Sequence, residues 1–257
     1  MTPPPMRIVD TGLRPARWNV AMTAALAQLH AAGRIADTLR FHRYPASVLL
    51  GRSQDMEHAA DTAYCRRVDI EMARRVTGGG AVFMSPRMLA WDVVIGRSAV
   101  ASDLEAATRR ICEGVASGLS RFAAPARFCP PNDIEMGGRK VSGSSGYIER
   151  RSAVLQGTVL IADDMPEMAR ALRLPEAVLR ERVTCLAAAI GQAPPVADVA
   201  VALRDGLMQA LDRTPVMDQP SAEEMAAAES LLQEDIGTEE FLMGTCAKEY
   251  TAWRAGC

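Results

Sequence analysis

Strand-like and helix-like stretches follow one another unevenly along these 257 residues, and that unevenness narrows the fold more than any other feature. A doubly wound parallel sheet would alternate strand and helix with some regularity, whereas here strands come in runs. Met6 to Val9 reads as a short strand, and Ala16 to Ala32 places apolar residues at helical spacing before Gly33, a C-cap residue. Leu39 to Tyr44 and Ser47 to Gly51 read as strands split by Pro45, followed by a helix around Asp61 to Arg67. Ala81 to Met84 and Met88 to Ile95 read as strands, the second apolar enough to be central. Asp103 can cap a helix running through Leu119. From Arg127 to Ala162 the pattern is mostly β, with Gly137-Gly138 as a hairpin turn. Helices are predicted over Met165 to Leu172, Pro175 to Arg182, Val196 to Leu211 and Ser221 to Gln233, the last opening on the capping box Ser221-Ala222-Glu223-Glu224. Pro194-Pro195 and Pro215 to Pro220 mark breaks. The expected fold is α+β, a mixed and largely antiparallel sheet packed by helices.

Composition places the chain among ordinary globular proteins, with 49% hydrophobic and 23% charged residues and enough length for one large domain. A net charge of −2 and a pI near 6.0 argue against nucleic acid as the main partner. Cys65, Cys112, Cys129, Cys185, Cys246 and Cys257 lie far apart without a C-x-x-C pair, so they read as reduced thiols rather than as a zinc site or disulfide framework. The start lacks an apolar core of signal-peptide length, and no stretch reaches the roughly 18 apolar residues of a membrane span. No membrane association and a cytoplasmic location are therefore expected.

Two glycine-rich segments carry the chemistry. In Arg74-Arg75-Val76-Thr77-Gly78-Gly79-Gly80-Ala81-Val82-Phe83, three glycines are fused to a strand-like run, which reads as backbone brought close to a ligand rather than as a linker. The paired arginines supply forked donors suited to phosphate or carboxylate. The run lacks the Gly-Lys-Ser/Thr ending of a Walker loop and is no G-x-G-x-x-G, so by itself it indicates an anion-binding loop and no more. The second segment is Gly137-Gly138-Arg139-Lys140-Val141-Ser142-Gly143-Ser144. Of 29 basic residues only two are lysine, and one of them is here. A chain that otherwise writes arginine has a use for a compact ammonium at this position.

Taken in order, Arg74 to Phe83, Asn132-Asp133-Ile134, Gly138 to Ser144, Gly157-Thr158 and Arg182-Val183-Thr184 resemble the lipoate–protein ligase A family, and Phe41 to Gln54 is similar to the strand and loop that precede its first motif. The resemblance runs from about Met6 to about Leu186 and more loosely through Ser221 to Gly244. It implies a biotin/lipoate ligase-like catalytic domain, related to class II synthetases, over residues 1–193. Residues 194–257 are then a helical segment closing the same domain, too short for the full accessory domain many relatives carry. It implies that lipoate is activated by ATP as lipoyl-AMP and passed to a lysine of a lipoyl carrier protein or domain. By the same resemblance Lys140 bridges the lipoate carboxyl oxygen and the α-phosphate, Arg75, Gly79, Gly80, Ala81, Val82, Phe83, Asn132 and Asp133 contact the nucleotide, and Asp133 neighbours a magnesium ion. Val76, Val82 and strand residues near Trp91 would line an apolar slot for the dithiolane. A monomer is expected, with an accessory subunit an open question.

The chain departs from the family pattern where Met84 and Leu155-Gln156 stand in place of histidines. Met84 is therefore expected to reshape the pocket. His30, His42 and His58 form no cluster and receive no role, while Phe41, Tyr44 and Trp91 read as core. Two other readings stay open. One is an octanoyl or lipoyl acyltransferase working through a thioester on Cys129, in Phe128-Cys129-Pro130-Pro131-Asn132-Asp133. The other is a non-catalytic subunit that binds lipoate.

Overall fold

Two sheets of unequal size pack through a shared core, and helices close both outer faces. The computed structural model describes residues 3–100, 103–122 and 124–244; Cys246, Cys257 and the second lysine, Lys248, lie outside them. In chain order the first half holds β1 (Pro5–Leu13), α1 (Ala16–Ala31), β2 (Thr38–Arg43), β3 (Ser47–Leu50), α2 (Met56–Ala59), α3 (Thr62–Arg67), β4 (Glu71–Arg74), β5 (Val82–Met84), β6 (Met88–Gly96), α4 (Arg97–Val100) and α5 (Leu104–Leu119). The second half holds β7 (Ala126–Cys129), β8 (Asp133–Met136), β9 (Arg139–Glu149), β10 (Ser152–Leu160), α6 (Met165–Ala171), α7 (Glu176–Arg182), α8 (Leu186–Ile190), α9 (Val196–Leu211), β11 (Thr214–Asp218), α10 (Ala222–Glu234) and α11 (Glu239–Met243).

The large sheet runs β11-β1-β2-β6-β10-β9-β8-β7 and the small one β4-β3-β5. Only β1–β11, β1–β2 and β3–β4 pair in parallel, so the fold is the mixed, largely antiparallel α+β arrangement expected. Alternation along β2 and β6 sorts the two faces. Leu39, Phe41, Trp91, Val93 and Ile95 pack on α5 and α9, while Val94 and Val154 meet Met22 and Leu26 of α1.

Local signals act as their chemistry dictates. Asp103 accepts from the Ala106 N–H at the start of α5, and Ser221 and Glu224 form both halves of the capping box of α10. Gly137 and Gly138 both adopt positive φ, 58° and 75°, and close the β8–β9 hairpin between Met136 and Arg139. One expectation is corrected: Thr214–Asp218, overlapping the stretch from Pro215 to Pro220 read as a break, is a strand. It pairs in parallel with β1 at the sheet edge, where Pro215 is tolerated because an edge strand leaves N–H groups unpaired. The segment after residue 194 is therefore not helical throughout. Its helices α10 and α11 pack against α1 and β4.

Candidate active site

A cavity of about 290 Å³ lies between the two sheets, with α6 and α7 along one side. Its floor is the α1-facing surface of the large sheet, and the strand register fixes which residues stand there. One cross-strand row is His42, Ala90, Thr158 and Gly143; the next is Arg40, Asp92, Gln156 and Ser145. Directly opposite residues on antiparallel strands share a face, so each row points the same way. The roof is the glycine loop from Gly78 to Gly80 together with Leu49, Val82 and Phe83 of the small sheet. Met168, Leu172, Leu174, Leu179 and Val183 add an apolar wall, and Leu174 is exposed at the mouth.

The glycine loop keeps its shape through buried arginines. Gly79 has φ +94°, in the region glycine favours, and an added Cβ at Gly51 would fall 1.8 Å from the Gly79 carbonyl oxygen. Arg75 lines the cavity, yet most of its donors are engaged: NH1 donates to the Leu49 carbonyl at 2.8 Å, and NH2 donates to the Gly78 and Gly80 carbonyls at 3.0 and 2.9 Å. Burial lowers its pKa to about 10, which still leaves it charged at neutral pH. Arg74 does not line the cavity. Its guanidinium donates to the carbonyls of Gly51, Arg52 and Gln54 and to those of Phe241 and Leu242, tying the loop after β3 to α11. The arginine pair thus shapes the glycine loop more than it presents free forks.

Lys140 stands at the polar end. The β8–β9 register shifts between Ile134 and Glu135, because Ile134 pairs with Ser142 and Glu135 with Lys140, so Val141 is an extra residue. Such a bulge re-aims the side chain beside it. Lys140 consequently folds over Gly143, where an added Cβ would meet its Cε and Nζ at 2.6 Å. The Nζ lies 2.7 Å from Asp133 Oδ1, and that oxygen accepts no directional hydrogen bond, so the contact is a charge pair. Asn132 donates through its side chain to the Ser144 carbonyl, while the Ser144 N–H and hydroxyl donate back to the Asn132 carbonyl at 3.0 Å each. Asn132 therefore braces β9.

The structure brings together Arg75, Gly79, Gly80, Ala81, Val82, Phe83, Asn132 and Lys140 on the cavity wall, with Asp133 behind Lys140. Val76 and Met84 are buried but do not line it. Met84 sits in the core on β5, opposite Ser47, so the expectation that it reshapes the pocket is not met. Trp91 faces the other side of the sheet, its ring edge beneath Gly157, while its neighbours Ala90 and Asp92 do reach the cavity. Cys129 does not line the cavity, and its hydrogen bond to Glu135, then burial, raises its pKa. Cys112 is fully buried, and burial pushes its thiol up to about 11.

Two residues given no site role in the sequence line the closed end: His42 and Tyr44. Beside them Asp92 accepts from Arg40 at 3.0 Å and from the Thr23 hydroxyl at 2.8 Å. His42 Nε2 meets the Tyr44 hydroxyl at 3.2 Å. A lone histidine within a strand carries no periodic signal, and only the register opposite Ala90 places it in the floor.

Comparison with known proteins follows the same lines. Octanoyltransferase LipM of Symbiobacterium thermophilum is 29% identical over 269 residues, covering 92% of this chain and 97% of that protein. Lipoate-protein ligase A subunit 1 of Thermoplasma acidophilum is 26% identical over 227 residues, covering 82% and 86%. A crystal structure of lipoate-protein ligase A bound with ATP superposes with a TM-score of 0.85 at 26% identity, over 96% of this chain and all of that one (100%). The family model for the lipoyl protein ligase A/B catalytic domain matches residues 15–208, which span the glycine loop, Lys140 and the whole cavity, and the chain belongs to that family.

Proposed function

We propose that this protein is an ATP-dependent ligase that activates lipoate as lipoyl-AMP and transfers the lipoyl group to a lysine of a lipoyl carrier domain. The observation that carries this reading is the placement of Lys140: one compact ammonium, aimed by a bulge into a cavity roofed by a triple-glycine loop and walled by apolar side chains. In the first step the carboxylate oxygen attacks the α-phosphorus and pyrophosphate leaves. An anion approaches a polyanion, so preorganised positive charge and N–H donors must offset the repulsion and hold the atoms in line. Lys140 supplies the charge, and the glycine backbone gives the phosphates close access, since Gly78 and Gly80 face open space. In the second step the carrier amine attacks the acyl carbonyl, loses a proton, and AMP departs with the bonding electrons.

The donor set fits the magnesium that accompanies ATP in one way only. Among the described residues no group of three or more His, Cys, Asp or Glu could hold a metal. Asp133 would contribute one oxygen to an ion whose other ligands are phosphate and water, and the ion would screen phosphate charge.

The relation to a LipM octanoyltransferase keeps a thioester route as the second reading. Against it, Cys129 is outside the cavity and its thiol is raised, which disfavours the reactive thiolate. The kinship with a ligase named as subunit 1 supports a partner polypeptide for full activity. Lipoate-dependent exchange of pyrophosphate into ATP tests the reading. The ligase exchanges; absence of exchange together with a hydroxylamine-sensitive acyl-enzyme would establish the transferase instead.

A further inference from the structure

Three successive glycines give the loop over the cavity no side chains to pack, and glycine backbone loses more freedom on ordering than any other residue, so the loop must be fixed from its flanks. The flank before Gly78 is Thr77, only 1% exposed, and it collects three donors. The Arg52 N–H reaches its carbonyl at 3.0 Å. Arg75 Nε, at 3.3 Å, and the Ser145 hydroxyl, at 3.1 Å, both donate to its hydroxyl oxygen.

Those donors come from different sides of the cavity. Arg52 follows β3 and Arg75 follows β4, and Arg75 also donates to the carbonyls of Leu49, Gly78 and Gly80, so both fasten the loop to the small sheet that forms the roof. Ser145 belongs to β9 of the large sheet, where it stands opposite Gln156 in the floor, five residues after Lys140. Among the described residues, the bond from Ser145 to Thr77 is the hydrogen bond by which residues 77–80 reach the floor. One strand thus carries both the ammonium and the anchor of the loop that faces it.

We propose that Ser145 is a positioning residue for adenylation: through Thr77 it sets the gap between the glycine loop and the strand that holds Lys140. The proposal rests on the ligase reading and adds to it a residue that acts through another. In the first step two separate substrates must meet in line, the phosphates against the roof and the carboxylate at the floor, so their approach depends on that gap. In the second step the acyl group and AMP are already joined covalently and the amine arrives from the carrier, so the gap matters less. A bond between two neutral hydroxyls, made in exchange for bonds to water, is worth about three- to tenfold.

Ser145→Ala, Thr77→Val and the double variant, each in the full chain, test this in two assays: lipoate-dependent pyrophosphate exchange, and transfer from preformed lipoyl-AMP to a lipoyl domain. Ser145→Ala is expected to lose about three- to tenfold in pyrophosphate exchange and less in transfer. The double variant is expected to lose less than the product of the single losses, as partners in one bond do. Amide hydrogen exchange at Arg52, whose N–H is held by the Thr77 carbonyl, reads the anchor without catalysis and should quicken in Ser145→Ala. Equal losses in the two assays, a double loss equal to the product, or unaltered exchange at Arg52 would overturn the positioning role. Thermal melts check folding; Ser145 is half-buried, so Ser145→Ala decides by the ratio of the two assays and by Arg52 even if Thr77→Val does not fold. Absence of pyrophosphate exchange in the parent would refute the ligase and with it the role in adenylation, and Arg52 would then decide whether Ser145 anchors the loop.

Discussion

In the proposed reaction Lys140 carries the charge that adenylation needs, and its surroundings leave no space for an arginine in its place. Its ammonium sits against Asp133 at 2.7 Å, and the end of its side chain crosses Gly143 with no room for a Cβ. A planar guanidinium needs more width than that passage gives, and a displacement of about 1 Å in such a site costs about a hundredfold in rate. Lys140→Arg is therefore expected to lose adenylation nearly as completely as Lys140→Ala, measured as lipoate-dependent pyrophosphate release. Lipoate binding should change less, as for a contact made mainly in the transition state. Near-parental release by the arginine variant would show that charge alone suffices. Cys129→Ser, in contrast, is expected to keep most of the carrier-modifying activity, because the thiol lies off the cavity and is raised rather than activated. Complete loss with the fold intact would point to the thioester route.

At the scale of elements, small residues decide how closely layers approach. The helices α5 and α9 cross through Gly114, Gly118 and Gly206, and an added Cβ on Gly206 would lie 2.3 Å from the Gly114 carbonyl oxygen and 2.7 Å from the Gly118 nitrogen. Both are backbone atoms that cannot swing aside. Gly206→Ala is expected to destabilise the protein by about 1–3 kcal/mol in denaturant unfolding, the usual cost of forcing extra volume into a packed contact; a neutral result would mean that the helices slide freely. Most elements were legible in the sequence because each is encoded locally. The caps at Asp103 and Ser221, and the Gly137-Gly138 turn, need no distant partner to be recognised. The strand Thr214–Asp218 was not legible: it is short, holds Pro215, and exists only by pairing with β1, far away in sequence. The glycine loop and Lys140 announced themselves by composition. His42 and the apolar wall from α6 and α7 did not, since a floor position is set by register and a wall by packing.

Across the whole molecule, the last described segments are held to the first strand by charge. Arg7 on β1 donates to Glu224 of α10 at 2.6 Å and to Asp218 of β11 at 2.7 Å. Burial works to raise the Glu224 pKa, but the hydrogen bonds from Arg7 and Ser221 and the Arg7 charge together outweigh it and the net shift is downward; Asp218 is lowered chiefly by Arg7. A depressed carboxylate pKa adds stability above the unfolded value, and that stability is lost as pH falls through the folded value. Thermal stability is thus expected to fall below about pH 4, and Glu224→Gln to flatten that acid slope, monitored by melting temperature against pH. An unaltered slope in the variant would assign acid sensitivity elsewhere. Arg74 makes a second long-range tie, joining the carbonyls beside the glycine loop to those at the end of α11, so the surroundings of that loop depend on the last described helix. In the proposed reaction this cavity joins a lipoyl group to a carrier lysine with cleavage of ATP. Intact-mass spectrometry of a lipoyl domain incubated with the protein, lipoate and magnesium, with and without ATP, tests it most directly. A gain of one lipoyl group on a lysine is expected only when ATP is present; modification without ATP, or none with a competent carrier and any required partner subunit supplied, would refute the ligase.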